Sequence, residues 1–475
     1  MKKSNEIGEN KKFAKNTVIF TAMTFFQKAL GFLLLPIYTS YMTSEQNGIY
    51  NLVNSIFALY VLFVSFALDD AVAKRYFDYS DNKESQKKVV GTIVIFALIL
   101  SVVVTVLLVI FRGILVEPFA KGVPFMPYLA LGLLPVLTTS VYSILQKILL
   151  IEEKAFTYSV LALVFFLINT GLCIFFVVFK RQAAQGMLMA NAITYSCFLI
   201  LSLFMLRKRL TICFDIREIK YVVKYSSKLL PNRIASWGNS HLNNVIVGNL
   251  VNTSILGIYS ISLQFQSILV ILSNSLIHAI QPWVYKNLKK GTIIGRENIF
   301  YGIAFLYAYI GLGLSLFTKD VLAWFFSQSY HDAYKYVPLL VLGALFSATA
   351  SLLIYVLFYY DDLVIWVSIS TVAGVGFDLL VSLILVNKIG AWACAVASVC
   401  SAVVRAVIII WQALKRSGLR LNLLMLVAPI VINYVVAQLI CGISFWIKFA
   451  VCVVEGLIIV WIFRKQDILL ILKDN

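Results

Sequence analysis

Long apolar stretches alternate with short polar connections along almost the whole chain. A helix that crosses a membrane needs about 20 mostly apolar residues, and fourteen stretches have a suitable length. They lie near residues 16–42, 48–72, 89–111, 127–151, 155–179, 186–206, 229–250, 255–281, 299–318, 337–360, 363–387, 390–412, 423–441 and 445–463. None shows the alternation of a β-strand, so the pattern excludes a transmembrane barrel. It predicts an all-α integral membrane protein of about fourteen transmembrane helices, which we number spans 1 to 14.

The two halves of the chain carry similar turns. Gly-Ile-Tyr at 48–50 follows span 1, and Gly-Ile-Tyr at 257–259 follows span 7. A fainter echo links Gln-Gly at 185–186 with Ile-Gly at 389–390, each opening the last helix of a six-helix set. Many transporters are built from two related halves. The pattern therefore predicts two six-helix repeats related by a pseudo-two-fold axis, followed by spans 13 and 14 as an added pair.

This organisation divides the chain into four parts. They are an N-terminal six-helix lobe at 1–206, a cytoplasmic amphipathic linker at 207–228, a C-terminal six-helix lobe at 229–412, and spans 13 and 14 with a cytoplasmic tail at 413–475. In the linker, Asp215 and Glu218 stand at capping-box spacing before apolar residues at helical steps among Lys and Arg. We expect the linker to lie flat on the inner leaflet.

Composition and charge agree with a membrane protein. Of the 475 residues, 61% are hydrophobic and 13% are charged, which is outside the range of soluble domains. The net charge of +18 would also suit a nucleic-acid-binding protein. However, most Lys and Arg fall in both termini and in alternate connections, as the positive-inside rule requires. The charge therefore indicates cytoplasmic termini and contact with anionic lipid rather than nucleic acid.

The seven Cys residues are scattered and form no CxxC pair. This spacing favours small buried side chains over a disulfide framework or a zinc site. We expect neither a metal nor another cofactor.

Polar side chains follow one face of spans 1, 2, 7 and 8. A polar side chain inside the bilayer costs free energy unless it meets water, protein or a ligand. Hydrogen bonding between packed helices accounts for three or four Ser, Thr or Asn per helix, but span 7 also carries Arg, Trp and His. We therefore predict a hydrated cavity lined by these four spans. The predicted lining residues are Thr21, Thr24, Asn51, Ser55, Trp237, His241, Asn244, Gln264, Ser267 and Asn274.

Two basic residues inside spans are candidates for binding an anionic ligand. Lys28 lies eleven residues after Thr17, about 17 Å along the helix and near the midplane. A Lys there costs about 2.5–3.5 kcal/mol, which an anion would offset; an ion pair with an acid of another span is the alternative. Arg233 lies one turn into span 7, where its guanidinium either binds a phosphate in bidentate fashion or reaches the interface.

Four further residues are candidates for a gate or for ion coupling. Asp69 and Arg75 lie at the cytoplasmic end of span 2, and the repeat offset places His278 opposite Asp69. Asp378 is a deeper carboxylate in span 11, where a coupling proton or Na⁺ would bind. An interfacial rim or a structural ion pair explains each residue equally well. Coupling to H⁺, to Na⁺ or to the membrane potential therefore stays open.

The stretch from Lys28 to Arg75 resembles the Wzx-type polysaccharide flippases, in the polysaccharide transport branch of the multidrug/oligosaccharidyl-lipid/polysaccharide (MOP) superfamily. The resemblance rests on KALGFLLLP at 28–36, on Gly-Ile-Tyr at 48–50, on Asp69 and on Arg-Tyr-Phe at 75–77. In the second half, Gly-Ile-Tyr at 257–259 and NKIGAW at 387–392 support it. Where many relatives carry an acid–base pair in span 7, this sequence has Asn243 and Asn244, so the coupling ion is unassigned.

The resemblance implies that an undecaprenyl-diphosphate-linked oligosaccharide moves from the cytoplasmic to the outer leaflet of a bacterial plasma membrane by alternating access. Lys28 and Arg233 would bind the diphosphate. The implied partners are this lipid-linked substrate, membrane lipids, and the polysaccharide polymerase and export machinery.

Two other functions stay open. A cation-coupled multidrug exporter of the same superfamily would be favoured by twelve helices and an acidic cavity, and it is opposed by fourteen spans and by Lys28. A membrane glycosyltransferase or polysaccharide polymerase would need a sizeable outer loop with catalytic acids. The longest outer connection, 319–336, offers only Asp320 and Asp332. We therefore expect transport rather than catalysis.

Overall fold

The computed structural model describes residue 23, residues 25–294 and residues 296–465, the last five by their backbone alone. Within these ranges every regular element is a helix, which confirms the predicted all-α class. The main helices, in chain order, are α1 (25–41), α2 (Ser44–Ser65), α3 (Leu68–Asp78), α4 (Lys83–Ile110), α5 (Arg112–Leu115), α6 (Ala130–Ile151), α7 (Ala155–Ile174), α8 (Ala183–Leu206), α9 (Ile216–Leu250), α10 (Thr253–Lys290), α11 (Asn298–Phe325), α12 (Val337–Ser351), α13 (Ile354–Tyr359), α14 (Val364–Ile389), α15 (Trp392–Ser417), α16 (Leu423–Ile440) and α17 (Phe445–Lys465).

Eleven helical segments of the described ranges are long and apolar enough to cross a bilayer. They coincide with predicted spans 2 to 6 and 8 to 13; α2 and α3 together form span 2, and α12 and α13 together form span 10. The other three predicted spans coincide with α1, α9 and α17, which do not meet the same criterion over their described residues. The positions of the helices are thus as predicted, and the total of fourteen membrane crossings stays a prediction.

Helices α2 and α10 begin in the same way. The Thr43 side chain accepts a hydrogen bond from the Gln46 N–H, and the Asn252 side chain accepts one from the Ile255 N–H at 2.7 Å. Each cap satisfies an N–H group that has no partner within the first helical turn. Both caps precede their Gly-Ile-Tyr motif by the same number of residues. This equal placement supports the internal repeat.

By its contacts the chain forms two units, Met1–Asn249 and Leu250–Asn475. In the first unit, α3, α4 and α6 share a core that includes Leu68, Ile93 and Ile144. In the second unit, α14 packs along α15, and the added pair α16 and α17 packs on α11. Helix α9 belongs to the first unit, whereas the sequence repeat placed span 7 in the second lobe. The difference has a physical reason, because the polar side chains of α9 find their partners on α2 and α3.

The start of α9 differs from the flat linker that the sequence predicted. Residues 216–228 continue into span 7 through Pro231 without a break, in a helix of 35 residues. Such a helix is about 52 Å long and exceeds the hydrocarbon core of about 30 Å. Val222 and Ser226 are fully buried, and Val222 belongs to the core of the first unit. The segment is therefore not a separate helix, and one side of it packs on protein through Val222 and Ser226. Its position on the inner leaflet stays a prediction.

A buried ion pair joins α17 to α11. Lys448 Nζ lies 2.6 Å from Asp320 Oδ2, and the Lys448 side chain is 1% exposed. Removing one partner of a buried pair leaves an uncompensated charge and costs about 3–5 kcal/mol. We expect Lys448→Met to lower the thermal unfolding midpoint in detergent by several degrees. The double variant Lys448→Met/Asp320→Asn should recover most of that loss, and equal losses in both variants would contradict this account.

Candidate functional site

Helices α2 and α3 meet at a backbone break that positions two carboxylates. Phe66 and Ala67 have φ angles of 42° and 51°, in the left-handed region that side chains with a Cβ rarely adopt. Ala67 and Leu68 are each 1% exposed, so packing holds the break in place. Asp69 and Asp70 lie in the first turn of α3, where the free N–H groups of a helix favour negative charge.

Two cations contact these carboxylates. On α9, Arg233 Nη2 lies 3.0 Å from Asp69 Oδ2 and 2.6 Å from Asp70 Oδ2. On α6, Lys147 Nζ lies 2.7 Å from Asp70 Oδ1. We call Asp69, Asp70, Lys147 and Arg233 the four-charge cluster. Their side chains are between 18% and 33% exposed, so the cluster connects three helices and keeps a side that a ligand can reach.

Ser55 of α2 joins three side chains of α9. Trp237 Nε1 donates to the Ser55 carbonyl oxygen at 2.9 Å, and Asn244 Nδ2 donates to Ser55 Oγ at 3.0 Å. His241 Nδ1 lies 3.4 Å from the same Oγ. Ser55 and Asn244 are buried, at 1% and 8% exposure. These two residues therefore serve the contact between α2 and α9, as Ser and Asn commonly do between membrane helices.

The other candidate residues of spans 1 and 2 are Asn51, Thr21, Thr24 and Lys28. Asn51, one turn before Ser55, donates through Nδ2 to the Asn47 carbonyl oxygen at 2.8 Å. Thr21 and Thr24 lie outside the described residues. Lys28 of α1 is exposed, and no described residue forms an ion pair with it. Its binding to a diphosphate stays a prediction.

A neighbouring face of α9 exposes neutral polar side chains. Asn232, Ser236, Asn239 and Ser240 are all exposed, and they share one face of a helix with 3.6 residues per turn. On the same helical projection, Arg233 lies between this exposed stripe and the face that contacts Ser55. The stripe offers amide and hydroxyl groups, which hydrogen-bond to hydroxyl-rich ligands without adding charge.

Asp69 and Arg75, both candidates for a gate or for ion coupling, lie in different contacts. Arg75 Nη2 lies 2.9 Å from Glu218 Oε2, and its guanidinium lies 3.7 Å from the centroid of the Tyr221 ring. The Tyr79 hydroxyl donates to Glu218 Oε1 at 2.8 Å. Arg75 therefore fixes the first turns of α9 to α3 and is not a member of the four-charge cluster.

The predicted lining residues of the second unit lie along α10. Gln264, Asn274 and His278 are exposed. Ser267 Oγ donates to the Gln264 carbonyl oxygen at 2.7 Å, and His278 Nδ1 lies 2.8 Å from the Tyr355 hydroxyl. The predicted polar face of α10 is thus largely exposed.

Asp378 of α14 is buried, unlike the exposed candidate residues of α10. Its side chain is 3% exposed, and Oδ1 accepts a hydrogen bond from Ser382 Oγ at 3.3 Å. A carboxylate held this far from solvent is a candidate ion-coupling group. Its role stays a prediction.

The sequence reasoning overlooked a polar network that joins α2, α7 and α8. Asn169 Nδ2 donates to Asn191 Oδ1 at 2.8 Å, and Asn191 Nδ2 donates to the Tyr50 hydroxyl at 3.4 Å. Asn169 and Asn191 are each the only Asn of an apolar span. That isolation was the available signal, because an amide inside a membrane needs a partner. Tyr50 belongs to the first Gly-Ile-Tyr motif, which therefore attaches α2 to α8.

Glu152, in the turn between α6 and α7, accepts from three donors. Arg209 Nε lies 2.9 Å from Oε1, Lys154 Nζ lies 2.7 Å from Oε2, and the Tyr76 hydroxyl donates to Oε1 at 3.0 Å. Burial acts to raise the pKa of the carboxyl, but the hydrogen bonds from Arg209, Lys154 and Tyr76 outweigh it. They lower the pKa of Glu152 from 4.5 to about 2.

Glu152 should therefore make stability depend on acidic pH. A carboxyl with a depressed pKa contributes stability that is fully present above its unfolded pKa and is lost as pH falls through its folded pKa. For Glu152 that window runs from 4.5 down to about 2. We expect the unfolding midpoint of the wild type in detergent to fall more steeply than that of Glu152→Gln as the pH is lowered from about 5 to about 3. Parallel curves would show that Glu152 has no such role.

A family model described as "Polysaccharide biosynthesis protein" matches residues 40–289, more than half of the chain. The matched range contains the four-charge cluster and the whole contact between α2 and α9. A search of curated protein sequences found no significant match.

Solved structures share the fold. The lipid II flippase MurJ, in an inward closed conformation, matches with a TM-score of 0.74 at 15% identity, over 95% of this chain and 100% of that chain. An inward-facing multidrug resistance MATE family transporter of the MOP superfamily matches with a TM-score of 0.58 at 16% identity, over 82% and 94%. The Vibrio cholerae MATE transporter VcmN, in the bent form, matches with a TM-score of 0.52 at 10% identity, over 90% and 99%. At these identities the likeness establishes the fold.

Proposed function

The chain belongs to the polysaccharide biosynthesis protein family and has the fold of MOP superfamily transporters, and on this premise we propose that it is a flippase for an undecaprenyl-diphosphate-linked oligosaccharide. It moves the headgroup from the cytoplasmic to the outer leaflet of a bacterial plasma membrane by alternating access. The lipid tail stays in the bilayer, and the product serves the export of a cell-surface polysaccharide. The polymerase and the export machinery are the partners that act after it.

The observation that carries this proposal is the combination of reachable cations with a neutral polar face. Lys28 is exposed, and Arg233 is one-third exposed beside the exposed Asn and Ser stripe of α9. A guanidinium binds phosphate oxygens through parallel, charge-assisted hydrogen bonds. Neutral amides and hydroxyls suit the sugar part of the cargo. The first unit therefore offers groups for both parts of a diphosphate-linked oligosaccharide.

Arg233 contacts Asp69 and Asp70 in this structure, so a diphosphate would have to exchange with carboxylate oxygens. The exchange keeps the half-buried guanidinium compensated, while Asp69 loses its contact with Arg233. Lys147 keeps its contact with Asp70 during the exchange. In this mechanism the diphosphate breaks the contact of Arg233 with the two carboxylates of α3, and Asp69 acts as part of a gate. Asp378 is the carboxylate that we propose for coupling to H⁺ or Na⁺.

Export of cationic drugs is a second candidate function, favoured by the likeness to a MATE family transporter at a TM-score of 0.58. A cationic drug needs a carboxylate that is available for pairing. In the four-charge cluster, both carboxylates already contact cations of the protein. The matched family favours the polysaccharide substrate instead.

Reconstitution in proteoliposomes tests the proposal. A fluorescent undecaprenyl-diphosphate oligosaccharide is incorporated, and its exposure on the outside is followed by a quencher that cannot cross the membrane. We expect flipping that depends on the protein, and no uptake of a cationic dye such as ethidium by the same vesicles. Dye transport without oligosaccharide flipping would overturn the proposal in favour of drug export. Empty liposomes of the same lipids are the control.

A further inference from the structure

Residues 210–215 lie between α8 and α9 and run along the first turns of α4; we call these residues, together with Ile216 at the start of α9, the strap. The Thr211 N–H donates to the Lys87 carbonyl oxygen at 3.0 Å. Thr92 Oγ1 lies 3.1 Å from the Cys213 carbonyl oxygen and 3.4 Å from the Asp215 nitrogen. Thr92 is 1% exposed. The backbone of the strap is therefore fixed on α4 at three successive points.

Gly91 allows this close approach. A Cβ at position 91 would lie 1.9 Å from the Thr211 carbonyl oxygen, well inside van der Waals contact. The absence of a side chain on α4 at this point is therefore required by the path of the strap. The strap is a fixed part of the fold.

Exposed and partly covered side chains alternate along the strap from Ile212 to Ile216. Cys213 and Asp215 are partly covered. Ile212, Phe214 and Ile216 are 85%, 52% and 61% exposed. The backbone fixation thus presents three large apolar side chains away from α4. A contiguous exposed apolar surface of this kind marks an interaction site.

Several Lys and Arg residues lie close to these apolar side chains in the sequence or in the first turns of α4, on which the strap packs. They are Lys83, Lys87 and Lys88 in the first turns of α4, Arg207 and Lys208 after α8, and Arg217 after the strap. Glu84 and Asp215 are the carboxylates of the same segments, so the positive charges outnumber the negative ones. Lys88 lies 2.8 Å from Glu84, and Arg217 lies 3.9 Å from Asp215. A protein partner with a purely apolar surface would leave the other four cations unmatched, whereas an acidic lipid surface satisfies both features.

The end of α8 shows the same pairing of a cation with exposed apolar surface. The Arg207 guanidinium lies 3.9 Å from the centroid of the Phe204 ring, and Phe204 is 57% exposed. Arg and Lys side chains take this arrangement where an apolar surface meets charged headgroups. Together with the apolar length of α4 and α8, it places the strap at a membrane–water interface.

We propose that the strap is an interfacial lipid anchor, which inserts Ile212, Phe214 and Ile216 between anionic phospholipids while the neighbouring Lys and Arg bind the acidic headgroups. Because α9 begins at Ile216, the anchor ties the start of this helix to the leaflet. The occupant is the lipid bilayer itself, and the anchor does not depend on the identity of the transported cargo.

Photo-crosslinking of the full chain in nanodiscs tests the anchor. The crosslinking residue p-benzoylphenylalanine replaces Phe214 in discs of equal phosphatidylglycerol and phosphatidylcholine, and adducts are identified by mass spectrometry. Ile99, 47% exposed in the middle of α4, is the lipid-facing control. Asp81, exposed in the turn between α3 and α4, is the aqueous control. We expect lipid adducts at 214 and 99 and none at 81, with phosphatidylglycerol enriched at 214 relative to 99.

A second experiment tests whether the Lys and Arg side chains cause the enrichment of phosphatidylglycerol. The combined variant Lys83→Gln, Lys87→Gln, Arg207→Gln and Lys208→Gln should return the phosphatidylglycerol share at 214 to that at 99, since one cation near an anionic surface contributes on the order of a five-fold preference. No lipid adduct at 214, or no enrichment in the unsubstituted chain, would overturn the proposal. A protein adduct in place of the lipid adduct at position 214 in native membranes would also overturn the proposal.

Discussion

Replacing Arg233 by Ala is expected to remove most of the flipping of the lipid-linked oligosaccharide and to destabilise the protein moderately. The substitution leaves Asp69 and Asp70 with Lys147 as their one cation within the four-charge cluster. Because these groups are half-buried, the cost should lie between that of exposed and buried pairs, about 1–3 kcal/mol. Loss of charged hydrogen bonds to the diphosphate, each worth about 1.5–3 kcal/mol, should slow flipping about ten- to hundred-fold.

A triple variant separates these two effects. In Arg233→Ala/Asp69→Asn/Asp70→Asn the uncompensated carboxylates are neutral, so the unfolding midpoint should return most of the way to the wild-type value. If Arg233 binds the diphosphate, flipping stays lost. Arg233→Lys keeps the charge and loses the planar fork, so it should flip at an intermediate rate. Flipping restored in the triple variant would remove Arg233 from the substrate site and leave it a structural role.

Replacing Lys28 by Ala is expected to have the second large effect, with a different signature. Lys28 is exposed and forms no ion pair within the described part of the chain. Its loss should therefore leave the unfolding midpoint almost unchanged, while the flipping rate falls at least about ten-fold for one lost charged contact. Flipping rates in proteoliposomes and unfolding midpoints in detergent, measured on the same preparation, check both parts.

The matched control for Lys28 is Lys335→Ala. Lys335 is also an exposed lysine, and it contacts Asp332 three residues earlier at 2.8 Å. Its removal should change neither flipping nor stability measurably. Normal flipping by Lys28→Ala, or an equal loss in Lys335→Ala, would show that Lys28 makes no specific contact with the cargo.

The helical class and the helix positions could be predicted from the sequence because each span is a long apolar run. The same reasoning could not say what the polar residues of span 7 contact. Ser55 accepts hydrogen bonds from Trp237 Nε1 and Asn244 Nδ2, and a pairing between residues so far apart in the chain leaves no local pattern. The predicted cavity lined by spans 1, 2, 7 and 8 accordingly stays a prediction.

The contacts of Asp69 and Arg75, two candidate gate residues, show a second limit of prediction from the sequence. The two residues are close in sequence, but a separation of six residues places them on different faces of a helix. Arg75 accordingly contacts Glu218 and Tyr221, whereas Asp69 contacts Arg233. Helical projection could have separated them, although it would not have identified either partner. The strap could not be predicted from the sequence. Position 91 requires a glycine because the Thr211 carbonyl oxygen lies against it, and Thr211 is distant in the sequence.

The most direct test of the central claim compares two substrates that differ only in the linker. The same fluorescent oligosaccharide is attached to undecaprenyl through a diphosphate or through a neutral ether, and the flipping rates are measured in identical proteoliposomes. Recognition of the diphosphate by Lys28 and Arg233 predicts that the first substrate flips at least about ten times faster, and that Lys28→Ala combined with Arg233→Ala brings the two rates together. Equal rates for the two substrates in the unsubstituted protein would contradict it.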